Sequence, residues 1–396
     1  MKTIRNVLII IFILSALLIS GCATPHKRNP LPEAYSDIAQ IPYIPYGRFW
    51  GDRVPSWLEE KIDDIKEQIR QSESDTKDIS SDYLAISGGG ANGAFGAGLL
   101  LGWTSAGNRP EFRIVSGIST GGLMAPFAFL GPEYDAKLKQ LFTTTSTKDL
   151  VEKRSLFSIL TADSAADTKP LQKMLEDVIG VKMLEGIVAE HDKGRRLFIG
   201  TTNLDAKRPV IWNIGNIAKS GAPNALQLVR DILMASASIP GAFTPVYIEV
   251  EADGRRYDEI HVDGGTSSQV FLYPASLDIR WATRQIGLKG KSRMYVIRNS
   301  CLEPDWETVK PKIVPILRNT ISTLIRTQGI GDLYRIYLGA QRDGIDYNLA
   351  FIPSDFEEKP KEAFDPEYMS KLFELGYRMG KNGYPWEKSP PGFEPP

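Results

Sequence analysis

The chain has 396 residues, of which 42% are hydrophobic, and its 47 lysines and arginines nearly balance 48 aspartates and glutamates, giving a net charge of −1. This hydrophobic content is enough to bury a core, which argues against global disorder. The absence of a basic excess argues against a protein that binds nucleic acid. Two cysteines and three histidines argue against a disulfide scaffold and against a Cys-rich or His-rich metal centre. A mechanism that needs histidine has only His26, His191 and His261 to draw on.

The N-terminus has the pattern of an export signal. Lys2 and Arg5 precede the apolar run VLIIIFILSALLI (7–19), which is shorter than the roughly 20 residues that a membrane-spanning helix needs. This pattern predicts a signal peptide over residues 1–21. The alternative is a short membrane anchor that is retained.

The end of this run, ISGC (19–22), resembles the lipobox of bacterial lipoproteins. The resemblance implies that Cys22 is lipidated, becomes the mature N-terminus and holds the protein in the cell envelope by its acyl chains. Ala23 follows the cysteine, a pattern that in Gram-negative lipoproteins usually directs the protein to the outer membrane. Cys301 would then have no disulfide partner, and we expect it to be a small buried or partly exposed residue rather than a nucleophile.

The rest of the chain predicts one large α/β domain. Residues 23–46 are rich in proline and polar residues and indicate a tether, and apolar spacing predicts a helix over 57–70. We predict strands at 83–87, 112–116, 195–203, 208–214 and 292–299, a hairpin at 246–262 closed by Asp253-Gly254, and helices ending near 103, beginning near 122, and covering 313–340 and 367–379. This alternation predicts a mainly parallel central sheet with helices on both faces.

These patterns divide the chain into four predicted parts. Residues 1–21 are the signal peptide, and residues 22–82 form the lipidated N-terminus, the tether and the short helix. Residues 83–383 form the α/β domain, in which we find no linker. Residues 384–396 form a loose, proline-rich tail.

The first motif of chemical interest is the glycine loop GGGANG (88–93), between a predicted strand and a predicted helix. It matches the dinucleotide-binding pattern G-x-G-x-x-G, but the acidic residue at the expected distance, Glu111, precedes the second strand instead of following it. Gly290-Lys291-Ser292 lacks the upstream glycine of a phosphate-binding loop. A tight structural turn is a further alternative. The favoured interpretation is an oxyanion hole at the positive end of the following helix. Its candidate residues are Gly88, Gly89, Gly90 and Gly93.

The second motif is GISTG (117–121), which has the G-x-S-x-G spacing of a nucleophile elbow. Ser119 would occupy a strained turn between strand and helix, and Gly117 and Gly121 would remove the Cβ atoms that clash there. The motif lies one strand-helix-strand step after the glycine loop, so both loops should meet at the same edge of the sheet.

The third motif is Asp263-Gly264-Gly265, at the end of the predicted hairpin. By itself Asp-Gly usually marks a turn. A serine hydrolase also needs a base, yet no histidine follows Asp263 in the chain, and His191 lies in a polar stretch that indicates a surface position. His261 shares a strand face with Asp263. The favoured interpretation of His261 is a strand residue lining the site or the core, and the alternative is the base.

In this order the three motifs resemble those of the patatin-like phospholipases. The segment ASASIPGAF (235–243) is similar to a helix-to-loop segment that these proteins carry before the aspartate, and the resemblance covers about residues 83–274. It implies a patatin-like three-layer α/β sandwich and an acyl hydrolase with a Ser-Asp dyad and no catalytic histidine. One position departs from the family, because Asn92 stands where Arg or Lys is common.

We therefore expect a phospholipase A or lysophospholipase-type esterase that cleaves a lipid or acyl ester through an acyl-enzyme. Ser119 would be the nucleophile and Asp263 the general base, and the N–H groups of Gly89 and Gly90, with Thr120, would bind the oxyanion. This chemistry requires no metal or cofactor. The alternatives are a membrane-tethered binding or scaffold protein with a repurposed site and, third, a dinucleotide-binding protein. The motifs leave the head group, the acyl specificity and the oligomeric state open.

Overall fold

The computed structural model describes residues 28–72, 81–153, 164, 166–288, 290–304 and 306–393. The predicted signal peptide, Cys22 and His26 lie outside these ranges. None of the helices in the described ranges is both long and apolar enough to cross a bilayer.

In the described residues, nine strands form a mixed central sheet with the spatial order β1-β7-β6-β3-β2-β10-β11, and β9 pairs with both β6 and β8. Strands β6, β3, β2, β10 and β11 are parallel to their neighbours within this group, whereas β1, β7, β9 and β8 join antiparallel. A separate two-stranded sheet consists of β4 and β5. The strands are β1 (Arg48–Trp50), β2 (Ser81–Ile86), β3 (Ile114–Ile118), β4 (Glu152–Lys153), β5 (Ala166–Asp167), β6 (Arg196–Asn203), β7 (Arg208–Asn213), β8 (Val246–Ala252), β9 (Arg255–Asp263), β10 (Ser292–Arg298) and β11 (Asp346–Phe351).

Helices cover both faces of this sheet, because successive side chains of its central strands point to opposite sides. Leu84 and Ile86 of β2 join the larger apolar cluster, whereas Tyr83 and Ala85 join a second cluster on the other side. The predicted fold class is therefore confirmed. The helices are α1 (Leu58–Ser72), α2 (Gly93–Ser105), α3 (Thr120–Leu130), α4 (Asp135–Thr144), α5 (Thr147–Leu150), α6 (Lys169–Val178), α7 (Val181–Asp192), α8 (Ile214–Lys219), α9 (Ala225–Ser236), α10 (Ile279–Ile286), α11 (Ile313–Asp343) and α12 (Pro366–Lys381).

Helices α2 and α12 pack with their backbones in contact. Cβ atoms at Gly98 and Gly102 of α2 would overlap backbone atoms of α12, and Cβ atoms at Gly376 and Gly380 of α12 would overlap backbone atoms of α2. Any side chain at these positions would push the two helices apart. Since α2 begins directly after the glycine loop, α12 helps to fix the position of that loop.

The predicted tail is not loose over residues 384–393. The ring of Trp386 packs against Trp103 and Tyr295 at centroid distances of 5.0 Å, and Glu387 exchanges backbone hydrogen bonds with Leu349 of the edge strand β11. Composition predicted an exposed segment, but its aromatic residues bury apolar surface and cover the sheet edge. The prediction is therefore wrong for these residues.

Residues 28–46 of the predicted tether also lie against the body. Ile41 and Ile44 are buried, and Gln40 exchanges backbone hydrogen bonds with Glu251 of β8. Arg28 forms an ion pair with Asp258 of β9 at 2.9 Å. The segment contains a short 3-10 helix (Glu33–Tyr35) and several turns, and its contacts with Asp258 and Glu251 hold it along the β8-β9 hairpin. A free tether over these residues is therefore a wrong prediction.

Candidate active site

The parallel strands bring three loops to one edge of the sheet. The residues that follow β2, β3 and β10 lie together there, because the carboxyl ends of parallel strands share an edge. Strand β9 runs the opposite way, and its last residue, Asp263, pairs with Thr201 near the carboxyl end of β6. The sheet thus places Ser119, Asp263 and the glycine loop at the same edge.

Ser119 lies in a strained turn between β3 and α3. Its backbone angles are φ 56° and ψ −128°, in a region that residues with a side chain rarely adopt. A Cβ atom on Gly117 would overlap the carbonyl oxygen of Gly121, and one on Gly121 would overlap the carbonyl oxygen of Ile86. Glycine on both sides is therefore a steric requirement of the turn. The Ser119 N–H donates to Ser236 Oγ at 2.9 Å, which helps to hold this conformation.

Ser119 Oγ donates a hydrogen bond directly to Asp263 Oδ2 at 2.6 Å. The other carboxylate oxygen, Oδ1, accepts from the Gly265 N–H at 2.7 Å, and the Asp263 N–H donates to the Ser238 carbonyl at 2.9 Å. Burial raises the pKa of Asp263 to about 6, although the hydrogen bonds from Ser119 and Gly265 oppose this shift. The carboxylate is thus a stronger base than an ordinary aspartate, and it is still ionised at pH 7.

The four candidate glycines of the loop differ in what their N–H groups do. The Gly88 N–H donates to the Gln269 carbonyl at 3.1 Å, and the Gly93 N–H bonds within the loop to the carbonyls of Gly90 and Ala91. The N–H groups of Gly89 and Gly90 have no hydrogen-bond acceptor among the residues that the structure describes. Gly88 and Gly93 therefore shape the loop, and Gly89 and Gly90 carry the N–H groups available to an oxyanion.

Asn299, directly after β10, holds the loop from behind. Its side-chain amide donates to the Ser87 carbonyl at 3.0 Å, and its side-chain carbonyl accepts from the Gly96 N–H at 3.1 Å. Its backbone N–H donates to Ser87 Oγ at 2.9 Å. The motifs gave no indication of this residue. The signal that could have found it is its position after a predicted parallel strand, at the edge where the motifs meet.

Two further residues support the serine and the aspartate from the segment 235–243. Ser236 accepts from the Ser119 N–H and in turn donates to the Gly200 carbonyl at 2.7 Å. Ser238 supplies the carbonyl oxygen that accepts from Asp263. The sequence singled out this segment by resemblance without assigning a task to either serine.

Asn92 connects the glycine loop to α12. Its side-chain carbonyl accepts a hydrogen bond of 2.7 Å from the Tyr368 hydroxyl, in the first turn of α12. Burial raises the pKa of Tyr368 to about 12, so that the hydroxyl remains a donor at neutral pH. The residue that departs from the family pattern is therefore part of a specific structural contact.

His261 is completely buried, and both of its ring nitrogens have partners other than Ser119. Nδ1 lies 2.9 Å from Thr201 Oγ1, and Nε2 lies 3.1 Å from Glu259 Oε2. The ionised Glu259 can only accept, so Nε2 of the neutral ring carries the proton and donates to it. Nδ1 then accepts from the Thr201 hydroxyl, whose oxygen itself accepts from Trp212 Nε1–H. Burial lowers the pKa of His261 and favours this neutral ring. The geometry supports the interpretation of His261 as a residue of the core.

Glu259 is held by a second partner, Arg48, whose guanidinium donates to Glu259 Oε1 at 2.9 Å. Burial would raise the pKa of Glu259, but Arg48 and the His261 N–H lower it to about 2. The result is a buried and fully paired polar cluster.

His191 is buried, so its predicted surface position is wrong. Burial lowers its pKa to about 3, and the ring is neutral. Cys301 is half-buried, as expected.

The features that suggested nucleotide binding lie apart from the glycine loop. Glu111, in the segment before β3, is exposed, and its Oε1 atom lies 3.7 Å from Arg195 Nε. Lys291 precedes β10, at the opposite edge of the sheet from Asn299, and its carbonyl accepts from Ser81. In the described ranges, no three His, Cys, Asp or Glu side chains cluster closely enough to hold a metal ion.

Comparison with known proteins adds a family to this geometry. Residues 84–276 match the model of the family described as patatin-like phospholipase. No curated protein matches the chain. Among solved structures, VipD from Legionella pneumophila is similar at 13% identity and a TM-score of 0.37, over 76% of this chain and 66% of VipD. ExoU of the Pseudomonas aeruginosa type III secretion system, solved in complex with SpcU, is similar at 14% identity and a TM-score of 0.33. That match covers 78% of this chain and 52% of ExoU, so the chain spans just under two thirds of VipD and about half of ExoU.

Proposed function

We propose that this chain, whose residues 84–276 match the model of the patatin-like phospholipase family, is a lipid acyl hydrolase in which Ser119 is the nucleophile and Asp263 the general base. The observation that carries the proposal is the 2.6 Å hydrogen bond from Ser119 Oγ to Asp263 Oδ2, on a turn of nucleophile-elbow geometry.

The first half of the proposed reaction forms an acyl-enzyme. Ser119 Oγ attacks the carbonyl carbon of the ester, and its proton passes to Asp263 along the existing hydrogen bond. The N–H groups of Gly89 and Gly90, with that of Thr120 at the start of α3, stabilise the negative charge that develops on the carbonyl oxygen. Asp263 then protonates the leaving alcohol, and the ester C–O bond breaks.

The second half releases the fatty acid. A water molecule enters where the alcohol left, and Asp263 removes its proton as the oxygen attacks the acyl carbonyl. The same N–H groups stabilise the second tetrahedral intermediate. When it collapses, Ser119 recovers its proton from Asp263. A pKa of about 6 suits both steps, because the carboxylate is ionised at pH 7 yet close enough to that pH to hold a proton transiently.

The substrate class that we propose is a lipid with a carboxylic ester, in keeping with the family of the domain. The decisive experiment is hydrolysis of a short-chain nitrophenyl ester and of a defined panel of phospholipids and neutral lipids. Ser119→Ala should lower the rate by about a thousand-fold or more, whereas Ser105→Ala, an exposed serine on α2, should match the wild type. If folded Ser119→Ala keeps wild-type turnover, the proposal is wrong.

A binding or scaffold protein with a repurposed site is the alternative, motivated by Asn92. Reaction of the wild type with a fluorophosphonate probe, and its loss in Ser119→Ala, would support the enzyme. A folded wild type that does not react would support the binding protein. The contact between Asn92 and Tyr368 gives Asn92 a structural task that is compatible with either function.

We also propose that Cys22 carries the lipid anchor, on the basis of the lipobox-like sequence ISGC (19–22). Lipidation would keep the enzyme in the cell envelope, next to bilayer lipids. Metabolic labelling with palmitate should mark the wild type and leave Cys22→Ser unlabelled. Equal labelling of the two proteins would contradict this assignment, whatever the outcome for Ser119.

A further inference from the structure

The first half of α11 projects from the folded body. In the second half, residues 329–343, side chains such as Leu333, Tyr337 and Ala340 are buried in the second apolar cluster. Residues 313–328 contain no buried side chain, and the structure describes all of them. At 1.5 Å per residue this part of the helix is about 24 Å long. A helical segment that buries no side chain needs another explanation for its length.

The projecting half of α11 exposes a continuous apolar stripe. Leu317 is 54% exposed and Leu324 is 64% exposed. The apolar residues recur at helical spacing and thus lie on one side of the helix. A contiguous exposed apolar surface of this kind marks an interaction site. The surface, called the projecting surface below, comprises Trp306 in the segment before the helix and, on the helix, Ile313, Val314, Ile316, Leu317, Ile321, Leu324 and Ile325.

The charge along the projecting half of α11 has one sign. Between Glu307 and Asp332 the sequence contains no aspartate or glutamate, and its charged residues in that interval are Lys310, Lys312, Arg318 and Arg326. Three acidic residues, Glu303, Asp305 and Glu307, precede the helix, and Glu307 accepts a hydrogen bond from the Asn319 side-chain amide at 3.2 Å. Trp306 is 94% exposed, and tryptophan is the side chain that favours the boundary between lipid and water. An apolar face flanked by cations matches an anionic membrane surface.

The projecting half of α11 ends beside the candidate active site, at Gln328. Gln328, at its inner end, accepts from Gln269 Nε2 at 3.2 Å, and the same nitrogen donates to the Gly265 carbonyl at 2.7 Å. The Gly265 N–H in turn donates to Asp263. The inner end of the projecting half of α11 is thus connected to the aspartate by a short chain of hydrogen bonds.

We infer that residues 313–328 form an interfacial helix that, together with Trp306 before it, docks on an anionic lipid bilayer. The apolar stripe enters the headgroup region, and the lysines and arginines beside it contact lipid phosphates. This places the Ser119 edge of the sheet next to the membrane. The inference goes beyond the proposed reaction, because docking requires neither Ser119 nor hydrolysis.

The test is a fluorescence measurement on the full-length chain with Cys22→Ser and Cys301→Ser. A single cysteine, either Leu324→Cys or Leu338→Cys, carries an environment-sensitive nitrobenzoxadiazole label. Leu338 is the matched control, because it is 59% exposed on the same helix but lies outside the projecting surface. The vesicles consist of diether phosphatidylglycerol or diether phosphatidylcholine, which contain no carboxylic ester, so the result is independent of the proposed hydrolysis.

The label at 324 should shift its emission to the blue and gain at least about two-fold in intensity on phosphatidylglycerol vesicles, while the label at 338 stays unchanged. Lys310→Gln/Lys312→Gln/Arg318→Gln should raise the lipid concentration needed for half of this change at least about five-fold. The inference is overturned if the label at 324 does not respond, or if both labels respond equally. An equal response to the two lipids overturns the anionic assignment. A response that depends on protein concentration without vesicles assigns the surface to self-association instead.

Discussion

Asn299 and Gly89 are in such close contact that a Cβ atom on Gly89 would overlap the Asn299 carbonyl oxygen and lie 2.7 Å from the Asn299 Cβ. Asn299 cannot move away, because its side chain is bonded to Ser87 and Gly96. The β10 strand and the glycine loop therefore fix each other. The position of the Gly89 N–H in the site depends on a residue that lies far outside the three motifs.

Gly89→Ala should displace the loop and lower kcat/KM for a nitrophenyl ester by about a hundred-fold or more, through loss of an oxyanion donor. Gly180→Ala is the control, because Gly180 has no atom within 4 Å of the added Cβ and no positive φ. It should retain full turnover. Wild-type activity in Gly89→Ala would show that this N–H group takes no part in the reaction.

Activity should rise with pH through an ionisation near 6. Burial raises the pKa of Asp263 to about 6, and only the ionised carboxylate can accept the Ser119 proton. The profile of kcat/KM against pH between 4.5 and 8 measures this directly. An inflection near 4, where an ordinary aspartate titrates, would contradict the burial argument.

Asp263→Asn should be inactive but more stable than the wild type at pH 8. The folded protein favours the protonated carboxyl, so the stability that this group contributes is present below about pH 4 and is lost as pH rises through about 6. An uncharged amide avoids that loss, and we expect a gain of about 1–3 kcal/mol in the free energy of unfolding at pH 8. Urea unfolding at pH 8 and at pH 4 tests this, since the gain should shrink at the lower pH. A destabilised variant at pH 8 would refute the argument.

His261→Ala should destabilise the fold without abolishing turnover. The substitution leaves the buried Thr201 hydroxyl proton without its acceptor and removes one of the hydrogen bonds to Glu259, at a cost of about 1–3 kcal/mol. The folded fraction, measured by active-site titration, should turn over within about ten-fold of the wild type. A loss as large as that of Ser119→Ala, in folded protein, would show that His261 belongs to a catalytic triad.

His191 should make the protein less stable in acid. Its pKa is lowered to about 3 in the folded protein, so unfolding takes up a proton between about pH 6.5 and 3. The free energy of unfolding should therefore decrease as pH falls through this window, by about 1.4 kcal/mol per pH unit for this residue. His191→Phe keeps a ring in the cavity and should flatten the slope by about one proton. An unchanged slope in the variant would exclude His191 as its source.

The sequence was sufficient to find the groups that meet at the site, because two general rules apply to it. G-x-S-x-G fixes a local turn, and parallel strands bring the loops after them to one edge. The rules do not extend to Asn299 or Ser236, whose tasks are hydrogen bonds to distant backbone groups. Such contacts depend on the packed structure and leave no local pattern.

The predictions that were wrong relied on amino-acid composition rather than on the spacing of the apolar residues. Met183, Ile187 and His191 are four residues apart on α7 and share its buried face, so the helical period already indicated a buried histidine. The polarity of the neighbouring residues concealed this. Likewise, prolines in the segments 28–46 and 384–393 suggested freedom, while a few isoleucine and aromatic side chains hold both segments against the body.

The backbone contact between α2 and α12 shows that the segment matched by the family model and the segment that packs as one unit have different limits. The family match ends at residue 276, yet α12 lies ninety residues further on. It fills the groove beside α2 so closely that Gly98 and Gly376 have no room for a methyl group. A chain that ended at residue 276 would lack both α12 and β10. It would expose the groove beside α2 and the side of β2 that pairs with β10. The segment that matches the family model is therefore shorter than the part of the protein that must fold together.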